Sequence, residues 1–124
     1  MEQLFQRYIH AGAFSRDPDA LAALFTPDGI LEAPLVPPAG PYPHRLEGRD
    51  AIRAGMAAWY ARPAAPTPAV DVARSRYVLH ATADPDVFIA EIDTAFTGAG
   101  GMSLVQIFRV RDGRIAHLRD YFTL

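Results

Sequence analysis

Three carboxylates stand where carboxylates are rarely placed. The final alternating run, Arg114-Ile-Ala-His-Leu-Arg-Asp-Tyr-Phe-Thr-Leu, sets Leu118, Asp120 and Phe122 on one face and His117, Arg119 and Tyr121 on the other, because successive side chains of a strand point to opposite faces. Asp120 is therefore flanked by apolar residues, and burying an unpartnered carboxylate is costly. The earlier run Val87-Phe-Ile-Ala-Glu-Ile-Asp-Thr-Ala-Phe groups Val87, Ile89, Glu91 and Asp93 on one face. Two strands that each set acids among apolar neighbours predict a pocket lined with carboxylates. In a dry pocket they cannot all ionise cheaply, since desolvation and mutual repulsion raise some of their pKa values. One can then remain protonated as an acid while another acts as a base. Arg74, Arg76 and Arg119 offer the opposite outcome, neutralisation in structural ion pairs.

Other residues are candidates for the same pocket. Glu32 shares a side of its short strand with Ile30, either as a fourth inward acid or as an exposed strand-end glutamate. Tyr8 lies on the apolar face of a first helix, its hydroxyl directed into the cavity or out to the surface. Phe5, Met56, Trp59, Leu104, Phe108, Leu118 and Phe122 fit an apolar lining and fit a plain core equally well. His10, His44, His80 and His117 show no metal-ligand spacing, and no metal is expected. Ser15, Ser75 and Ser103 lack a nucleophile signature, and no Gly-rich loop cradles a phosphate.

The elements that must position these residues follow from periodicity. Leu4, Phe5, Tyr8, Ile9 and Ala13 recur at helical spacing, which predicts a helix over Met1 to Phe14. Asp17 as N-cap and Pro18 at the first helical position start a second helix with Leu21, Leu24 and Phe25 as its stripe. Thr26-Pro-Asp-Gly reads as a turn and Ile30 to Pro34 as a short strand. Five prolines between 34 and 43 make a loop, either a pocket rim or a surface insertion. Gly48-Arg-Asp opens a third helix with Ile52, Met56, Trp59 and Tyr60 on its apolar side, ended by Pro63, Pro66 and Pro68. Val70 to Ala81, Val87 to Phe96, Met102 to Val110 and Arg114 to Leu124 read as strands joined by turns at Asp84-Pro-Asp, Gly98-Ala-Gly-Gly and Asp112-Gly. This order predicts an α+β domain over residues 1–124: three N-terminal helices packed on a strongly curved, mainly antiparallel sheet, a cone around a blind apolar pocket.

Composition narrows the function. The chain has 124 residues, enough for one real core, and a net charge of -2 without a basic stripe, which argues against nucleic acid. It has no cysteine. No apolar run is long enough to span a bilayer, and no signal peptide is visible after Met1, so a cytoplasmic location is the default expectation.

The segments "RYIHAGAFSRDPDALAALFTPDGILEAP", "LEGRDAIRAGM" and "IFRVRDGRIAHLRDYF" resemble the cone-shaped fold shared by nuclear transport factor 2, ketosteroid isomerase, SnoaL-like polyketide cyclases and limonene epoxide hydrolase. The Arg-Asp-Tyr-Phe ending is most similar to the limonene epoxide hydrolases. That resemblance implies that Asp120 activates water and Asp93 protonates the substrate oxygen. The family's arginine falls at Glu91, and its water-holding Tyr and Asn fall at Ile30 and Glu32. Against ketosteroid isomerase, Tyr8 matches the hydrogen-bonding tyrosine, but the base falls at Ala33 and the protonated aspartate at Gln106. The SnoaL-like cyclases imply carboxylate acid/base work on an apolar substrate without a cofactor. The expectation is thus an acid/base enzyme for a small apolar molecule, opening epoxides or cyclising or isomerising a polyketide-like compound. Asp120 would be the base, Asp93 the acid, and Glu91 would raise the pKa of Asp93. The alternative is a module of the same fold that only binds a ligand or dimerises. A homodimer packed through the outer sheet face, where Val105, Ile107 and Tyr121 fall, is expected from exposed apolar residues and from the resemblance.

Overall fold

In the computed structural model, residues 1–62 and 69–124 are described. Pro63, Pro66 and Pro68, expected to end the third helix, lie outside them. The first helix, α1 (Glu2–Ile9), buries Leu4, Phe5 and Tyr8. Its continuation His10–Phe14 widens into a π-helix, with the amide of Ser15 donating to the His10 carbonyl at 2.9 Å. Arg16, at φ 48°, stops it. In α2 (Pro18–Ala23), the Asp17 side chain accepts from the amides of Asp19 and Ala20, an N-cap that satisfies two orphan donors.

The chain then enters β1 (Phe25–Glu32). The Thr26-Pro-Asp-Gly stretch is not a separate turn: it lies inside β1 as an irregularity in register between Phe25 and Ile30. Proline cannot donate to a ladder, and a bulge absorbs it. Gly29 is tightly packed there, since an added Cβ would meet the Thr26 carbonyl at 3.0 Å and the Ile115 carbonyl at 3.1 Å. After the proline-rich loop comes β2 (Arg45–Glu47), too short to carry a periodic signal, and then α3 (Arg49–Ala61), with Ile52 and Met56 buried. The strand expected from Val70 begins only at Arg76. Before it, Val72–Arg74 forms a 3-10 turn in which the Arg74 amide donates to the Asp71 side chain. The remaining strands are β3 (Arg76–Ala81), β4 (Val87–Ala95), β5 (Gly101–Arg111) and β6 (Arg114–Tyr121).

These strands form one six-stranded sheet in the order β2-β1-β6-β5-β4-β3. Every pairing is antiparallel except β1 with β6, which run parallel with Ile30 opposite His117 and Leu31 opposite Leu118. The helices cover one face, where Phe5, Tyr8, Leu21 and Ile52 meet Phe88, Phe108 and Leu118. Phe108 is the hub: it stacks on Phe88 at 4.7 Å and takes Phe5 and Tyr8 edge-on at 5.9 and 5.4 Å. Fully burying a side chain of this kind contributes roughly 1.5–3 kcal/mol. The result is an α+β fold with its N-terminal helices on one side of a mainly antiparallel sheet. Among the described residues, no helix is long and apolar enough to cross a membrane.

Candidate functional site

Register decides which acids face the helices. Asp120 on β6 pairs with Gln106 on β5, and Gln106 pairs with Ala90 on β4. One rung further along lie Leu118, Phe108 and Phe88. All six are buried and belong to the helix-covered face. Asp120 therefore sits inside the fold, between Leu118 and Phe122, as its alternation predicts.

Glu91 and Asp93 do not join it. They occupy the alternate positions of β4 and project from the outer face, where Glu91 contacts His80 and Asp93 contacts Arg76. Asp93 also accepts from the Ser103 hydroxyl at 2.7 Å, and that hydrogen bond, with Arg76 second, holds its carboxyl below the usual range. Asp93 is thus an exposed, ionised group on the far side of the sheet from Asp120, and Glu91 does not face the pocket either. The pairing of these acids failed for a simple reason. The run 87–96 carries apolar residues on both faces, so alternation groups its residues without saying which group is inside. Phe88, Ala90 and Ile92 win because their partners on β5 are Phe108, Gln106 and Leu104.

Glu32 is misplaced in the same way. Its inner neighbour Leu31 enters the core, and Glu32 emerges on the outer face. There it accepts from Arg45 at 2.8 Å and from His117 at 2.6 Å, with Arg119 at 3.0 Å. Burial alone would raise its pKa, but these partners outweigh it and hold the carboxyl low. It is a structural anchor joining β2, β1 and β6. Among the described residues, no three His, Asp or Glu side chains gather as metal ligands would.

Around Asp120 the inner face is aromatic. Tyr8 reaches in from α1. Tyr42 comes from the proline-rich loop and packs edge-on against Trp59 of α3 and Phe122, each ring pair at 5.0 Å. Val36 of the same loop is buried beside Ala33 and Phe122, with Leu104 and Met102 packed against them. The loop is therefore a wall of the site and not a surface insertion. Tyr42 was missed by sequence reasoning, although an aromatic among five prolines was a signal that the loop packs inward. Met56 is core beneath the site.

Burial raises the Asp120 carboxyl from 3.8 to about 7, and Gln106 beside it lowers it only partly. Among the described residues, no cation pairs with Asp120. Burial, and then the Asp120 charge, push both Tyr8 and Tyr42 well above ordinary tyrosine. Both phenols are therefore hydrogen-bond donors at neutral pH, while Asp120 is poised between acid and base. A buried carboxyl near neutrality with two neutral phenols in its neighbourhood can take a proton from one atom and deliver it to another.

A separate apolar cavity of about 430 Å³ lies on the other flank of α1, against β3 and β4, lined by Phe5, Ile9, Tyr77 and Ile92 among others. It does not include Asp120.

Known proteins share this architecture. An uncharacterised PhzA/B-like protein of Pseudomonas aeruginosa is 34% identical over 104 residues, covering 80% of this chain and 67% of its own. A provisionally assigned isomerase from Bacillus subtilis superposes with a TM-score of 0.70 at 22% identity, over 97% of this chain and 84% of that one. A phenazine biosynthesis-related protein from Pseudomonas aeruginosa gives 0.65 at 18% identity, over 97% and 73%. A protein of ketosteroid isomerase-like fold from Catenulispora acidiphila gives 0.64 at 19%, over 98% and 86%. The SnoaL-like domain family matches residues 5–118, a span that runs from α1 to Leu118 on the strand carrying Asp120, so the chain belongs to the SnoaL-like family.

Proposed function

We propose that the chain is a cofactor-independent acid/base enzyme that isomerises or cyclises a small, mostly apolar carbonyl compound. One observation carries the reading: Asp120 is a buried carboxyl with no cation partner among the described residues, on the helix-covered side and near enough to Tyr8 and Tyr42 for its charge to raise the pKa of both. In its ionised form Asp120 takes a proton from the carbon next to the carbonyl. The oxygen that gains charge is met by the hydroxyl of Tyr8 or Tyr42, each held neutral by burial. Returned to a different carbon, the proton completes an isomerisation; if the carbanion instead attacks a second carbonyl, a ring closes. Epoxide opening uses the same base on water. Because Asp93 lies on the outer face, the proton for the epoxide oxygen then falls to a tyrosine. The names of the relatives support the isomerase class without fixing a substrate.

The test is deuterium wash-in. The protein is incubated in deuterium oxide with a panel of small enolisable ketones, with an apolar epoxide as a separate arm, and followed by proton NMR. The expected result is exchange that Asp120→Asn slows by about 10²-fold or more, while Asp93→Asn, on the far face, leaves it within a few-fold. Exchange that survives Asp120→Asn would make the last strand structural and leave a ligand-binding module as the better reading.

A further inference from the structure

We infer that the site selects apolar molecules bearing a hydrogen-bond donor, a hydroxyl or an N–H, seated between Gln106 Oε1 and Asp120 Oδ1. This names the substrate class of the site proposed above and rests on that reading. Gln106 and Asp120 are direct cross-strand partners on β5 and β6. Their side chains share the inner face, and among the described residues no protein group hydrogen-bonds either oxygen. Both residues are deeply buried, at 3% and 5% exposure.

Two unmet acceptors on one rung are unusual, because a buried oxygen gives up its hydration and normally recovers a partner. In the neighbouring rung Phe108 and Leu118 are at 0% exposure and Phe88 at 4%, and their apolar side chains need no partner. Around the Gln106–Asp120 rung Tyr8 and Phe122 keep 8% and 7% exposure, while the two oxygens themselves are closed off from solvent. The amide nitrogen of Gln106 is not among the buried atoms left unpartnered. What remains toward the site is its carbonyl oxygen.

A ligand hydroxyl or N–H placed between the two oxygens donates a three-centre hydrogen bond shared by both acceptors, and an NH2 group donates one to each. An ether or a simple hydrocarbon satisfies neither, and an ether adds a third lone pair. Sites built around a buried hydrogen bond discriminate strongly against analogues that lack it. The molecule's apolar body meets Tyr42, Trp59, Leu104 and Phe122. The substrate is thus a hydroxylated or amino-bearing apolar carbonyl compound, in preference to an unsubstituted ketone.

The experiment compares 2-naphthol with 2-methoxynaphthalene by isothermal titration calorimetry at pH 7, on the wild type and on Gln106→Met. The expected result is naphthol bound at least about tenfold more tightly by the wild type. Gln106→Met should bring the two affinities within about threefold of each other, with ether binding little changed. If that variant does not fold, the wild-type ratio and its collapse in Asp120→Asn decide the matter. Equal wild-type affinities, or binding of neither compound, overturn the inference; the two oxygens would then satisfy each other through a protonated Asp120 and a rotated amide. Loss of the preference with Asp120-dependent deuterium exchange intact defeats this inference alone. A preserved preference with exchange that ignores Asp120→Asn defeats the catalytic reading alone.

Discussion

Asp120 is held at a cost to the folded state, and that cost depends on pH. Its carboxyl rises from 3.8 to about 7 on folding. Between those values the folded protein keeps a proton that the unfolded chain has released. Stability from this group is therefore greatest below about pH 4, falls as pH rises, and levels off above about pH 7. The full difference corresponds to roughly 4 kcal/mol. Asp120→Asn stays neutral throughout. It should match the wild type below about pH 4, exceed it by roughly 1–2 kcal/mol at pH 5 and by a few kcal/mol at pH 8, read from urea unfolding at each pH. A variant that is no more stable at pH 8 would show that the carboxyl is solvated or paired. Asp120 was legible in the sequence because Leu118 and Phe122 flank it on an otherwise unambiguous strand. Asp93, Glu91 and Glu32 were not, because their strands offer apolar residues to both sides and only the register with β5 and β6 chooses between them. The partnership of Asp120 with Gln106 is a contact across strands, which spacing along one strand does not contain.

Among the elements, the helices were the most readable. The Asp17–Pro18 start of α2 forms as written, since its cap is local chemistry. The π-helical widening at His10–Phe14 leaves no mark in the periodicity. Strand β2 was invisible because three residues carry no pattern, and the parallel pairing of β1 with β6 depends on chain closure and not on either sequence. Gly29 shows how tightly that pairing is set. Its missing Cβ would press on two backbone carbonyls, from Thr26 and Ile115, which cannot swing aside as side chains do. Gly29→Ala should therefore cost about 1–3 kcal/mol in denaturant unfolding, the range for overpacking a tight site. A change below about half a kcal/mol would mean that the bulge relaxes freely.

At the scale of the whole molecule, the two faces of the sheet divide the work. The inner face holds the core and Asp120. The outer face carries Ile89, Val105, Ile107 and Tyr121 at its centre, with Arg109, Arg119 and His117 to one side and Glu91 and Asp93 to the other. We propose that this face pairs with a second copy of the chain. A two-fold axis near Ile107 would set the apolar centre of one copy against that of the other, an isologous contact, since flanking charges are already paired within each copy: Glu91 with His80, Asp93 with Arg76, and Glu32 with His117 and Arg119. Light scattering at micromolar concentration should give a dimer mass, and Ile107→Asp should give a monomer with unchanged helix content. A monomeric wild type would rule the pairing out.

The β1–β6 pairing also orders events in time. Ile30 meets His117, a partner 87 positions further along the chain. The hairpins from β3 to β6 close over short turns and can form early, but β1 must wait for the largest loop in the molecule, whose closure entropy is paid before any contact repays it. Tyr8 and Tyr42 belong to the half that docks, and Asp120 to the half that receives it. The proposed site therefore needs both halves: with a complete hairpin array but an undocked N-terminal half, Asp120 would be a solvated aspartate without Tyr8 and Tyr42 beside it, and the proposed proton transfer would require the docking of that half.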